Sequence, residues 1–103
     1  MISVLVVGGS AVDEEPPGSL ELLHAASADE AIEKLGRNRR IDAVLVVGED
    51  APEVVRAIGE DVLAPPPIFV PSDVRGIPAA RRLDASSRDR PRLLAAIVAE
   101  LSG

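Results

Sequence analysis

The chain has 103 residues and a formal net charge of −6, which is the size of a single domain. It contains no cysteine and one histidine, which excludes a disulfide framework, a thiolate metal centre and a multi-histidine metal site. The acidic balance, with one phenylalanine and no tyrosine or tryptophan, argues against nucleic-acid binding. Because it has neither a long apolar run nor a basic leader, we expect a cytoplasmic protein without a membrane span.

Two apolar segments at the start of the chain predict strands. Residues 2–7 are aliphatic apart from Ser3 and stop at Gly8 and Gly9, which is typical of a strand buried on both faces. Residues 10–19 are acidic and rich in proline and predict a loop. A weaker strand is expected over residues 20–25.

The middle of the chain predicts a helix, a strand and a second helix. Ser27 and Glu30 form a capping box for a helix that ends at Gly36. Residues 42–47 repeat the pattern of the first strand. A helix capped by Asp50 and Glu53 follows and is expected to end near Gly59.

The last third of the chain predicts a short strand at residues 68–70 and a candidate fifth strand at residues 81–84. A final helix is expected to begin between Asp89 and Pro91. Strands that alternate with helices favour an α/β fold with three layers and a parallel sheet. The leading topology is flavodoxin-like, with strand order 2-1-3-4-5.

Three segments resemble the receiver domain of bacterial two-component response regulators, over nearly the whole chain. They are residues 2–7, residues 26–35 and residues 41–47, and residues 89–97 are similar to the final receiver helix. The resemblance implies one receiver-like domain over residues 1–103 that takes part in signalling.

The receiver phosphoacceptor site is degenerate in this sequence. Receivers bind Mg²⁺ through an acidic pair after the first strand, where this chain has glycines, and no lysine occupies the segment before the final helix. Two glycines supply no hard oxygen ligands for Mg²⁺. The positions that correspond to the site, with a one- or two-residue slip allowed, are Gly8, Gly9, Val47, Gly48, Glu49, Asp50 and Ser72. The sequence therefore predicts a pseudo-receiver without metal, cofactor or catalytic residues.

Two receiver helices have little room. The segment between the first two strands holds two prolines, so the first helix is expected to be missing or reduced, and the fourth helix is expected to be short. A face that lacks its cover leaves an apolar patch, and such patches mark partner surfaces. We therefore expect self-association, as a dimer, to cover it.

Charge is distributed unevenly along the chain. Residues 1–74 carry a net charge of −9 and residues 75–103 a net charge of +3. The basic segment is a candidate docking surface for an acidic partner through bidentate carboxylate contacts, with an ordinary solvated surface as the alternative. Its arginines are Arg75, Arg81, Arg82, Arg88, Arg90 and Arg92.

The sequence thus predicts a signalling or scaffolding module that binds proteins and does not depend on phosphorylation. The alternative is a sensor that binds a nucleotide or another small ligand at the carboxyl ends of the strands. The sequence names neither the partner nor the pathway.

Overall fold

A computed structural model describes residues 2–8, 20–37, 40–74, 80–86 and 88–102. These residues form five strands and three helices. In chain order they are β1 (Ile2–Val7), β2 (Leu20–Ala25), α1 (Ala28–Arg37), β3 (Ala43–Val46), α2 (Ala51–Asp61), β4 (Ile68–Val70), β5 (Arg81–Arg82) and α3 (Arg90–Ser102).

The five strands form one parallel sheet in the order β2-β1-β3-β4-β5. The predicted α/β class, flavodoxin-like topology and strand order are therefore confirmed. β1 and β3 lie at the centre of the sheet, and β2 and β5 form its two edges. The switch in strand order falls between β1 and β3, which is where open α/β sheets carry a crevice at the carboxyl ends of their strands.

Helices α1 and α2 cover one face of the sheet. Their buried side chains pack with Leu5 and Val7 of β1 and with Val44 and Val46 of β3. Side chains alternate between the two faces along a strand, and these four residues, which lie on the α1 and α2 side, are all aliphatic. The apolar core on this side of the sheet is the larger of the two cores among the described residues.

Helix α3 covers the opposite face. Leu93, Leu94 and Ile97 are buried against Val4, Val6 and Phe69, among other core residues. Because both sets of alternate side chains in the central strands are apolar, each strand packs against helices on both sides. The three predicted layers are thus present.

The capping box of α1 is formed by the residues that the sequence indicated. The Glu30 backbone N–H donates to Ser27 Oγ at 3.3 Å, and a Glu30 carboxylate oxygen accepts from the Ala26 N–H at 3.2 Å. This backbone hydrogen bond lowers the pKa of Glu30, and nearby Lys34, 3.4 Å from the carboxylate, acts in the same direction. The box fixes where the chain leaves β2 and enters α1.

Several element boundaries differ from the predictions. α1 continues through Gly36 to Arg37, and α2 continues through Gly59 to Asp61. Neither glycine has a positive φ, so neither terminates its helix as a left-handed cap. Asp50 holds the N-cap position of α2, but its side chain makes no capping hydrogen bond.

The prediction of a reduced first helix falls on residues 9–19, which lie outside the described residues. Between β4 and β5, the described residues 71–74 and 80 contain no helix. No helix in the described ranges is long and apolar enough to cross a bilayer.

Candidate functional site

The carboxyl end of β1 is held to those of β2 and β3 by backbone hydrogen bonds. The Gly8 N–H donates to the Ala25 carbonyl at 3.0 Å, and the Val47 N–H donates to the Val7 carbonyl at 2.9 Å. Gly8 has a φ of +86°, and a Cβ atom placed on it would lie 2.3 Å from the Val47 carbonyl oxygen. The edge therefore has no room for a side chain at position 8 unless the β3 backbone moves.

A cleft of about 600 Å³ opens at this edge, between the first turns of α1 and α2. Its polar side chains are those of Ser27, Glu49, Asp50 and Glu53, and all four residues are exposed. The Ser27 hydroxyl is already engaged in the capping box. The remaining polar side chains are carboxylates, so the cleft is acidic.

Val47 contributes no chemistry to the cleft. It is 6% exposed, and its side chain packs in the core beneath α3. At the position that the sequence resemblance equates with a phosphoacceptor, the structure thus has a buried hydrocarbon side chain. Gly48 follows with a φ of +101° and turns the chain toward α2.

Most of the candidate phosphoacceptor region lies around one cleft. Gly8, Val47, Gly48, Glu49 and Asp50 all line the cleft. Gly9 lies outside the described residues.

Ser72 lies at a separate place, after β4. Its backbone N–H donates to the Ala85 carbonyl at 2.8 Å, and it lines a shallow depression of about 270 Å³ with Arg82, Leu83 and Asp84. In the described ranges, no group of three or more His, Cys, Asp or Glu side chains is arranged to hold a metal ion.

Five of the six candidate arginines are described, two in β5 and three at or just before the start of α3. Four of them, Arg81, Arg82, Arg88 and Arg92, are exposed, while Arg90 is half-buried. Arg75 lies outside the described residues. We call Arg81, Arg82, Arg88, Arg90 and Arg92 the basic end.

The basic end contains little charge compensation. Arg81 lies 3.7 Å from Glu100, in an exposed pair. The first turn of α3 contains no acidic residue. The Asp89 carboxylate, just before the helix, accepts a hydrogen bond from the backbone N–H of Arg92 at 3.4 Å and makes no ion pair with its guanidinium within the described residues. The Nη1 atom of Arg90 is buried and has no hydrogen-bond partner among the residues that the structure describes. Buried polar atoms are almost always hydrogen-bonded in proteins, so this orphaned nitrogen is unusual.

The three carboxylates of the cleft are close in sequence, but the sequence alone did not reveal that the start of α1, with Ser27, lies across the cleft from them. It also gave no sign that the Arg90 guanidinium is partly buried. The sequence did contain one signal for the basic end as a whole: the first turn of the last helix has arginines and no acidic residue, although acidic side chains are favoured at a helix N-terminus.

The chain was compared with family models, curated proteins and solved structures, and none of these comparisons returned a match.

The surroundings of Gly8 and Gly36 predict opposite changes in stability when each glycine is replaced by alanine. Gly8→Ala introduces a positive-φ alanine and a backbone clash, so the free energy of unfolding should fall by at least about 2 kcal/mol. Gly36→Ala is the matched control, because a Cβ atom there meets nothing within 4 Å. It should raise the stability by about 0.5–1 kcal/mol through helix propensity. Urea unfolding measures both, and a Gly8→Ala variant as stable as wild type would contradict the close approach of the two strands.

Proposed function

We propose that this chain is a protein-interaction module that resembles a receiver domain and recognises an acidic segment of its partner through the basic end. The observation that carries the proposal is the concentration of arginines around the N-terminus of α3. A helix N-terminus already has a partial positive charge, which favours acidic side chains. Three arginines, Arg88, Arg90 and Arg92, lie within or next to the first turn of α3.

This arrangement does not favour folding of the isolated chain. The first turns of α1 and α2 contain Asp29, Glu30 and Glu53, as helix electrostatics favours. The first turn of α3 contains arginines and no acidic residue, and the nearby carboxylate of Asp89 precedes the helix. A conflict between local preference and the observed charge is expected where a functional surface overrides stability. Carboxylates from a partner would remove the conflict.

Arginine is suited to this role because its planar guanidinium donates two parallel hydrogen bonds to one carboxylate. Arg82, Arg88 and Arg92 are exposed and form no ion pair within the described residues. Arg90 is half-buried and its Nη1 atom is shielded from solvent, so the exposed arginines beside it are the groups that can reach a partner. An acidic segment lying across the helix N-terminus thus fits both the geometry and the charge.

Independence from phosphorylation is supported by the carboxyl edge of the sheet. Position 8 has no room for a carboxylate, and the side chain of Val47 is a buried hydrocarbon without an oxygen atom. Without a metal and a facing cation, the charge that develops in phosphoryl transfer is not stabilised. The partner would therefore be bound constitutively.

Neutralising the basic end should weaken the binding of an acidic peptide. We expect Arg88→Gln/Arg92→Gln to raise the dissociation constant of a fluorescent oligoglutamate peptide about tenfold, since two charge-assisted hydrogen-bonding groups are lost. Fluorescence anisotropy at low salt measures the constant. Arg37→Gln/Arg56→Gln is the control with the same change in net charge, because Arg37 and Arg56 are exposed on α1 and α2. Equal losses in both variants would contradict the assignment of the surface.

Phosphoryl mimics should leave the chain unchanged. We expect the ¹⁵N amide spectrum to show no shifts at Gly8 or at Gly48, Glu49 and Asp50 on addition of Mg²⁺ and beryllofluoride, because the cleft lacks the ligand set. Specific shifts at these amides would mean that a phosphoacceptor switch survives, and the proposed independence from phosphorylation would then fail.

A second candidate function, a small-ligand sensor, is favoured by the cleft itself, which lies at the strand-order switch. Its carboxylates Glu49, Asp50 and Glu53 repel phosphate, so its ligand would be cationic or uncharged.

We expect ATP and GTP to leave the melting temperature unchanged in a thermal-shift assay. A specific rise in melting temperature would require binding to the folded state and would contradict this view of the cleft.

A further inference from the structure

The outer edge of β2 has the features of a strand-pairing surface. β2 begins the strand order, and among the described residues only β1 pairs with it. It spans six residues, Leu20–Ala25. The opposite edge strand, β5, spans only two. A long edge strand presents a row of unpaired backbone donors and acceptors that can template another strand.

The direction of each backbone group in β2 follows from one hydrogen bond. The Ala25 carbonyl accepts from the Gly8 N–H, so Ala25 directs its backbone groups toward β1. In a strand these directions alternate from residue to residue. Leu20, Leu22 and His24 therefore direct their N–H and C=O groups away from the sheet. The contact of Lys34 Nζ with the His24 carbonyl oxygen agrees with this assignment.

The side chains along the edge are apolar on both faces of the sheet. Leu22 packs partly against the core beneath α3, and Leu23 packs partly against the core beneath α1 and α2. Both leucines are half-buried, and Glu21 is the exposed charged residue of the strand. Edge strands usually resist pairing through charge, proline or shortness, and β2 relies on one glutamate and the Lys34 contact.

We propose that two copies of this chain pair through their β2 edges, antiparallel about a two-fold axis at Leu22, and so form one continuous sheet. This register places Leu22 opposite Leu22 of the second copy and Leu20 opposite His24. All three outward-facing residues of each copy then form hydrogen-bonded pairs. The two-fold axis makes the interface self-complementary, as homodimers require.

Charge and backbone pairing together favour this register over the two neighbouring registers. Shifting the axis to residue 21 would place Glu21 directly opposite its own copy, and like charges in that position destabilise a sheet. Shifting it to residue 23 would leave Leu20 without a partner. With the axis at Leu22, Glu21 faces Leu23 of the second copy. The Lys34 contact is compatible with pairing, because a carbonyl oxygen has two lone pairs.

The proposed dimer is independent of the acidic partner proposed above. β2 and β5 lie at opposite edges of the sheet, so pairing at β2 leaves both basic ends exposed at the far ends of the assembly. Failure of either proposal would therefore leave the other standing.

A single cysteine tests the register, because the natural chain contains none. Residues opposite one another in a hydrogen-bonded antiparallel pair have Cα atoms about 5.5 Å apart, which a disulfide can span. We expect Leu22→Cys treated with diamide to yield covalent dimer at least about tenfold faster than Leu63→Cys. Leu63 is a fully exposed leucine beyond the end of α2 and serves as the matched control. Equal rates would overturn the proposed register.

Charge at position 22 tests the interface itself. Wild type should sediment as a dimer at concentrations on the order of 100 µM, while Leu22→Lys and Leu22→Glu should each raise the dissociation constant at least about tenfold. Mixing the two variants should restore association, which misfolded chains would not do. Wild type that remains monomeric, or dimers that persist in both variants, would refute β2 pairing.

Discussion

The burial of the two central strands on both faces is the constraint from which the rest of the structure follows. Val4 to Val7 and Ala43 to Val46 are at most 1% exposed, so every backbone group in them has to be paired within the sheet. Neighbouring strands on both sides supply that pairing, and helices cover the apolar side chains on both faces. The central position of β1 and β3 and the placement of α1 and α2 on one face and α3 on the other meet this requirement.

Much of this architecture could be predicted from the sequence because it depends on local pattern. Aliphatic runs that stop at glycine indicated β1 and β3, and the spacing of Ser27 and Glu30 indicated the start of α1. Helix ends were less accurate, since an exposed glycine such as Gly36 can remain inside the last turn at modest cost. The strand order required a rule about connections and could not be derived from composition.

The candidate sites were harder to predict because they depend on contacts between distant segments. The lack of space at Gly8 arises from the Val47 carbonyl on a neighbouring strand, which no local pattern reveals. The direction of the Val47 side chain depends on the register of β3 beneath α3. The arginines of the basic end were recognised as a group in the sequence, but the buried nitrogen of Arg90 depends on how the start of α3 packs. Sequence therefore identified the residues, and the fold determined which of them can act together.

The shortness of β5 has a consequence for local stability. Among the described residues, Phe69 and Val70 alone pair with it. The backbone hydrogen bonds from Leu83 to Val70 and from Ser72 to Ala85 are each 2.8 Å long. Few hydrogen bonds must break for this edge to open, so its amides should belong to the least protected unit of the sheet in hydrogen exchange. A ligand that binds the arginines of β5 would also have to order this edge, and the free-energy cost of ordering would lower its affinity. Affinity at that surface is thus coupled to how firmly the last strand is anchored.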